Sequence, residues 1–108
     1  MSFEIEETSG AVVMRAKMVR FDAVMAPAFR RDALPRVVGA KRVVVDLSSV
    51  KTMDSTGLGC LISVLKVLPP GASLALLGVG PEVQTLLKLT RLDRVLRAFD
   101  SLEAALAS

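Results

Sequence analysis

The fold of this chain is decided by Arg42-Val43-Val44-Val45-Asp46-Leu47 and, five residues later, Met53-Asp54-Ser55-Thr56-Gly57-Leu58-Gly59. Three consecutive β-branched valines beside turn-forming residues predict a buried strand. The apolar helical pattern after the second motif predicts a helix over residues 57–68, and the Asp, Ser and Thr before it are residue types that cap helices. A buried strand followed by such a helix is typical of an α/β protein.

The hydroxyl-bearing residues of the second motif lie where a strand gives way to a helix. Free N–H groups and the helix dipole both favour negative charge at such a place. Gly57 and Gly59 allow other backbone to approach closely. A hydroxyl here can be a plain helix cap, or it can be the point at which a phosphate is attached.

Length and composition indicate one domain over residues 1–108, since the chain has 108 residues, of which 52% are hydrophobic and 4% aromatic. The acidic start, Met1-Ser2-Phe3-Glu4-Ile5-Glu6-Glu7, does not resemble a signal or transit peptide. No apolar run reaches the ~20 residues that a membrane helix needs. The one cysteine, Cys60, excludes an internal disulfide and fits a reducing compartment. We therefore expect a soluble cytoplasmic domain without membrane insertion.

The positive charge is concentrated in residues 15–51, which carry nine basic residues against three aspartates. A nucleic-acid interface would need cations on one face, interleaved with aromatic side chains for stacking. The cations here are divided between a predicted strand and a predicted helix, and Phe29, the one aromatic beside the helical arginines, fits the buried side. We expect no nucleic-acid partner, whereas a docking surface for an acidic protein remains open.

Strand and helix patterns alternate along the chain. The predicted strands cover residues 3–6, 11–19, 43–47, 73–77 and 95–99, with a turn at Ser9-Gly10, and the predicted helices cover residues 27–38, 57–68, 81–89 and 101–106. Pro35 either kinks the first helix or marks its last turn, and Asp100 or Ser101 caps the final helix. Strands separated by helices need crossover connections. The predicted fold is therefore α/β, with a mixed, mainly parallel sheet of about five strands and about four helices.

The residue types that carry most enzyme chemistry are absent. The chain has no histidine and a single cysteine, which excludes His-based catalysis and a His metal ligand, and one cysteine cannot make a zinc site. Asp46 and Asp54 alone are weak evidence for acid–base catalysis, and no glycine-rich nucleotide loop follows a strand. We expect no enzyme, no catalytic residue, no metal and no cofactor.

The helix over residues 57–68 has a narrow polar stripe, formed by Gly59, Ser63 and Lys66. A helix on one side of a sheet needs an apolar arc of little more than ~100°, and the other positions exceed that arc. Val64 and Val67 are therefore covered by neighbouring helices or form part of a partner-binding face. Because Cys60 has small apolar neighbours, the pattern favours an inert packing residue over a redox-active thiol.

The order of the elements, together with Asp54-Ser55-Thr56-Gly57-Leu58-Gly59, resembles the STAS domain of bacterial anti-sigma factor antagonists over almost the whole chain. The segment from Leu89 to Leu106 is also similar to the C-terminal segment of that family. The chain departs from the family at Arg91, where Gly is commoner, and at Val19-Arg20-Phe21-Asp22, where Gly-x-Leu/Ile-Asp is usual. Asp22 still matches the family's acidic residue near the phosphorylation site.

The resemblance implies a phosphoprotein that acts by partner switching in signal transduction and transcription regulation. The unmodified form would bind an anti-sigma factor that is also a GHKL-type serine kinase, phosphorylation of Ser55 would end that binding, and a serine phosphatase would reset the switch. The implied partner-binding residues are Asp22, Asp54, Thr56, Gly57, Gly59 and Ser63.

Two alternatives belong to other functional classes. Some STAS-like domains are non-phosphorylated subunits that stabilise a transport ATPase complex. Those often lack the second hydroxyl or the Leu-Gly of the motif, and this chain keeps both. A nucleotide-binding enzyme is the remaining alternative.

Overall fold

The computed structural model describes residues 2–8 and 10–108. Its elements are β1 (Phe3–Thr8), β2 (Ala11–Ala16), β3 (Arg20–Phe21), α1 (Ala26–Ala28), a π-helical turn (Phe29–Ala33), α2 (Leu34–Val37), β4 (Arg42–Asp46), β5 (Thr52–Met53), α3 (Ser55–Val67), β6 (Ser73–Leu77), α4 (Pro81–Leu89), β7 (Arg97–Phe99) and α5 (Leu102–Ala107).

The main sheet has five strands in the order β1-β2-β4-β6-β7. Only β1 and β2 pair antiparallel, while the other neighbours are parallel. The α/β class and the mixed, mainly parallel sheet are therefore confirmed, with β1 and β2 as its antiparallel part. The turn predicted at Ser9-Gly10 includes Ser9, which lies outside the described residues; Gly10 has a φ of +85°, a conformation that favours glycine.

The two faces of the sheet are covered unequally. The large core lies on the face that carries α1 to α4, where Val43 of β4 lies between Val12 of β2 and Leu74 of β6 in one buried layer. The opposite face has a small core of Val13, Val44, Ala75 and Ala105 under α5. Helix α3 therefore belongs to the well-packed side.

The second strand was predicted to end at residue 19, but it ends at Ala16. Beyond it the chain leaves the main sheet, and the carbonyl of Val19 accepts the N–H groups of Lys51 (2.8 Å) and Thr52 (3.2 Å). β3 and β5 then pair in parallel as a separate two-stranded sheet. The sequence did not predict this small sheet, which carries the chain directly into α3.

Pro35 lies in the last turn of a continuous helical stretch, which is one of the two predicted alternatives. Proline has no N–H to donate, and its ring crowds the carbonyl four residues earlier. The preceding turn widens to a π-helix, in which the N–H of Leu34 donates to the carbonyl of Phe29. Gly39, with a φ of +82°, follows the stretch as predicted.

One departure from the family pattern, Arg91, lies just after the end of α4. Arg91 has a φ of +60°, the left-handed conformation that usually selects glycine after a helix. The N–H of Arg91 donates to Lys88 (3.1 Å) and that of Leu92 to Leu87 (2.9 Å), which is the hydrogen-bond pattern of a Schellman helix end. Arginine thus occupies a position that glycine would adopt with less strain.

The last strand, β7, is shorter than the predicted strand over residues 95–99. Val95 and Leu96 donate their N–H groups to the carbonyl of Leu92, at 3.1 and 2.7 Å, and these turn bonds keep both residues out of the sheet. After β7, the hydroxyl of Ser101 accepts the N–H of Ala104 at 3.1 Å. Ser101, and not Asp100, therefore caps α5.

Three phenylalanines form one buried aromatic cluster. Phe3 of β1, Phe21 of β3 and Phe29 of the π-helical turn have ring centroids 5.5 to 5.7 Å apart. Phe29 is buried as predicted, and Met14 is fully buried. The packing of these three rings holds β3 against the main core, next to the start of α3.

Within the described residues, none of the helices has the length and apolar character that crossing a membrane would require.

Candidate functional site

Asp54 is the residue that starts α3. Its backbone is extended, with a φ of −101°, and its Oδ1 accepts the N–H of Gly57 at 2.9 Å. Its carbonyl accepts the N–H of Leu58 at 3.0 Å. Because one side chain satisfies a helix N–H in this way, the helix begins at Ser55, two residues earlier than residue 57, where we predicted it.

Ser55 is the first residue of the helix and is exposed to solvent. In the part of the chain that the structure describes, its hydroxyl makes no hydrogen bond, and the cap is supplied by Asp54 instead. Thr56, the next residue, is half-buried. The alternative in which Ser55 is a plain helix cap is therefore wrong, since a neighbour has that role.

Asp22 and Asp54 are brought to one place, as the family resemblance implies. Oδ2 of Asp54 accepts the N–H of Ala23 at 3.3 Å, and Oδ1 of Asp22 accepts the N–H of Val24 at 3.1 Å. The loop between β3 and α1 therefore lies beside the start of α3. Val24 at the tip of this loop is 81% exposed, and the sequence analysis did not identify it.

The two glycines of the motif have different surroundings. A Cβ on Gly57 would lie 2.0 Å from the carbonyl oxygen of Phe21 and 2.9 Å from Cγ of Met53. A Cβ on Gly59 would meet no atom within 4 Å. Gly57 is thus required for close packing of α3 on the small sheet, whereas Gly59 leaves an open place on the surface.

The polar stripe of α3 is extended by a residue from another element. The hydroxyl of Ser63 donates to the carbonyl of Gly59 at 2.9 Å, and Nη1 of Arg30 donates to the same hydroxyl at 3.4 Å. Lys66 is exposed one turn further on. Sequence patterns missed the role of Arg30, because its partner lies 33 residues away on a different helix.

The buried face of α3 contains Cys60, Leu61 and Val64, each with no exposed surface. Neighbouring elements thus cover Val64, while Val67 is only partly covered. Burial raises the pKa of the Cys60 thiol, and the charge of Arg30 offsets part of that rise. A buried thiol held in its neutral form is a packing residue, as the sequence analysis predicted.

The site offers an accessible hydroxyl without groups to activate it. Among residues 2–8 and 10–108, no group of three or more His, Cys, Asp or Glu residues could hold a metal ion. The chain has no histidine to act as a base, and the nearby carboxylate of Asp54 is engaged by two backbone N–H groups. The Ser55 hydroxyl is thus accessible from solvent at the first position of α3.

Comparison with known proteins agrees with this geometry. Residues 2–105 match the STAS domain family. A Thermotoga neapolitana protein assigned as an anti-sigma factor antagonist is 33% identical over 69 residues, which are 63% of this chain and 61% of that relative. The match therefore spans less than two thirds of the relative's length.

Two solved structures show the same fold. An anti-sigma factor antagonist from Mycobacterium paratuberculosis has a TM-score of 0.85 and 28% identity, covering 97% of this chain and 90% of its own. The Bacillus cell fate determinant SpoIIAA in its phosphorylated form has a TM-score of 0.72 and 19% identity, covering 97% and 96%, which is a likeness of fold. Since the family match extends from β1 into α5 and confirms the resemblance seen in the sequence, the protein belongs to the STAS domain family.

Proposed function

We propose that this protein is an anti-sigma factor antagonist of a bacterial partner-switching module. Its unphosphorylated form binds an anti-sigma factor that is also a GHKL-type serine kinase, phosphorylation of Ser55 releases it, and a serine phosphatase restores it. The protein acts by binding and not by catalysis. Relatives assigned as anti-sigma factor antagonists support this proposal, as does a structural neighbour solved in a phosphorylated form.

The observation that carries the proposal is the division of roles between Asp54 and Ser55. Asp54 caps α3, and Ser55 is exposed at the first helical position. A phosphate can therefore be added to Ser55 and removed again without loss of the helix cap. A serine that capped the helix itself would be a poor switch, because its modification would disturb the fold.

The negative charge around Ser55 is the reason why a phosphate there would weaken the binding of a partner. A phosphate adds about −1.5 to −2 charges near neutral pH. The helix dipole favours that charge, but Asp54 already occupies one helix N–H, and Asp22 lies in the adjacent loop. With two carboxylates close by, the added charge is poorly compensated within the protein, and a partner seated on this surface would encounter it.

The proposed partner surface follows the exposed side of α3 and the loop before α1. Asp22, Asp54, Thr56, Gly59 and Ser63 retain full or partial exposure there. Gly57 is buried, so its proposed contribution is indirect: it sets the distance between α3 and the small sheet. Val24 and Arg30 add an apolar and a cationic group to the same surface.

The test uses a GHKL-type serine kinase encoded in the same genome, with ATP, and locates the added phosphate by mass spectrometry. We expect phosphate on Ser55 alone, none on Ser55→Ala, and the wild-type amount on Thr56→Val. Phosphorylation of Ser55→Ala to the wild-type level would contradict the assignment.

A binding measurement completes the test. Ser55→Ala should bind the kinase constitutively, whereas Ser55→Asp should bind at least about tenfold more weakly, a loss of ~1.4 kcal/mol. Ser108→Asp adds the same charge at the far end of the chain and should bind like the wild type. A tight complex with Ser55→Asp would remove the electrostatic explanation.

A further inference from the structure

A second surface lies at the end of the molecule opposite Ser55. We name it the α4-end patch; it consists of Lys88, Leu89, Arg91, Arg94 and Val95. Parallel β-α-β connections place helix starts at the carboxyl ends of the strands and helix ends at the amino ends. Arg97 at the start of β7 pairs with Ala75 of β6, so the residues just before it lie at the amino end of the sheet. The start of α3 follows the carboxyl end of β4.

The α4-end patch combines exposed apolar and basic side chains. Leu89 is 78% exposed and Val95 is 51% exposed. Lys88, Arg91 and Arg94 are exposed and, with Asp93, line an open groove of about 420 Å³. The ion pairs found among the described residues involve Arg15, Lys17, Arg31 and Arg36 only. The three cations of the patch are therefore available for an external partner.

The backbone at Arg91 is a separate observation that points to the same place. A φ of +60° is strained for arginine and unstrained for glycine. Strained positions concentrate where a side chain serves a purpose other than stability. Arg91 adopts this strained conformation and places a guanidinium group at the centre of a basic and apolar surface.

We infer that the α4-end patch binds an acidic segment of a protein partner that also carries an apolar side chain. The positive groups match acidic side chains, and Leu89 and Val95 match the apolar one. The patch has three cations, with the carboxylate of Asp93 beside them, and this is fewer than the four to eight basic residues typical of anionic-membrane sites. It has no aromatic residue on which a nucleic-acid base could stack. The two surfaces lie at opposite ends of the sheet, so both can be occupied at once.

The test follows backbone amide shifts in the ¹⁵N-labelled protein during titration with a synthetic helical peptide that has Glu on one face and Leu at helical spacing. We expect shifts confined to residues 88–95, and the same shifts in Ser55→Asp. A peptide with Lys in place of Glu should cause none. No shift at about 1 mM peptide, or shifts centred elsewhere, would overturn the inference.

Substitutions distinguish binding from a structural role. Arg91→Gly should weaken peptide binding while raising the melting temperature by about 4 °C, because the strain is removed. Lys88→Ala, Arg91→Gly and Arg94→Ala together should weaken binding at least about tenfold, whereas the exposed control Lys41→Ala should leave it unchanged. Unaltered affinity in the triple variant would overturn the inference. So would tighter binding to phosphatidylserine vesicles or duplex DNA, or self-association of the protein that the triple variant abolishes.

Discussion

Helix α3 has two faces whose residues alternate within one short motif. The face toward the sheet contains Gly57 and Leu61, both buried, and fits the backbone of β3 closely. The face toward solvent contains Ser55, which is exposed, and the partly exposed Gly59, at which an added Cβ would meet no atom within 4 Å. One face positions the helix, and the other is free to interact. The comparison teaches that the start of a helix can be packed closely on one side and remain accessible to solvent on the other.

The largest expected effect is on the buried face. Leu61→Ala should lower the free energy of unfolding by ~2–5 kcal/mol, because Leu61 has no exposed surface and its loss leaves a cavity. Leu65, one turn further along the same helix, is only partly buried, so Leu65→Ala is the control and should cost less. Denaturant melts measure both. Equal losses of stability in the two variants would contradict the difference in burial between Leu61 and Leu65.

Gly57→Ala should have the next largest effect, with a loss of ~1–3 kcal/mol. The added methyl group would overlap the carbonyl of Phe21, which is backbone and has little freedom to move. Gly59→Ala is the matched control, and we expect a gain of up to ~1 kcal/mol because it removes a glycine from a helix interior. If both variants lost stability equally in melts, close packing against β3 would not be the reason for Gly57.

Gly59→Arg tests the exposed face. The protein should fold with little loss of stability, since the position is open. Binding to the kinase should fall at least tenfold, or ~1.4 kcal/mol, because a bulky cation would occupy the proposed partner surface. Titration calorimetry gives the affinity, with Gly59→Ala as the variant that should retain it. Unchanged affinity for Gly59→Arg would move the partner surface away from α3.

The smallest expected effect on stability is that of Ser55→Ala, which should lie within ~0.5 kcal/mol of the wild type. Ser55 has no capping role, whereas Asp54→Ala removes the cap and should cost ~0.5–2 kcal/mol. Thermal and denaturant melts of the two variants decide the order. A greater loss for Ser55→Ala would make this serine structural and weaken the regulatory proposal.

Sequence periodicity predicted the regular elements well. The strand over residues 73–77 and the helix over residues 81–89 have the bounds expected, because Gly78 follows the strand and Pro81 opens the helix. Patterning failed where the decisive contacts are distant in the chain. β3 and β5 are two residues each, too short for any periodicity, and they exist because they pair with each other.

The candidate site was predictable in its residues and less so in their roles. The motif identified Asp54, Ser55 and Thr56 as a group, but residue type alone could not decide which of them caps the helix. Three-dimensional placement decided it, since Asp54 alone reaches both Gly57 and Ala23. Val24 and Arg30 gave no local signal, because they join the site through folding.

The aromatic cluster of Phe3, Phe21 and Phe29 connects the start of α3 with the N-terminal strand β1. The ring of Phe21 packs against those of Phe3 and Phe29, and its carbonyl lies against Gly57 at the start of α3. Opening of the loop between β3 and α1 would therefore disturb β1, and the two regions should exchange their amide hydrogens as one cooperative unit. In evolutionary terms, Phe3 is then constrained by the packing around the start of α3, although it is not part of the candidate site at Ser55.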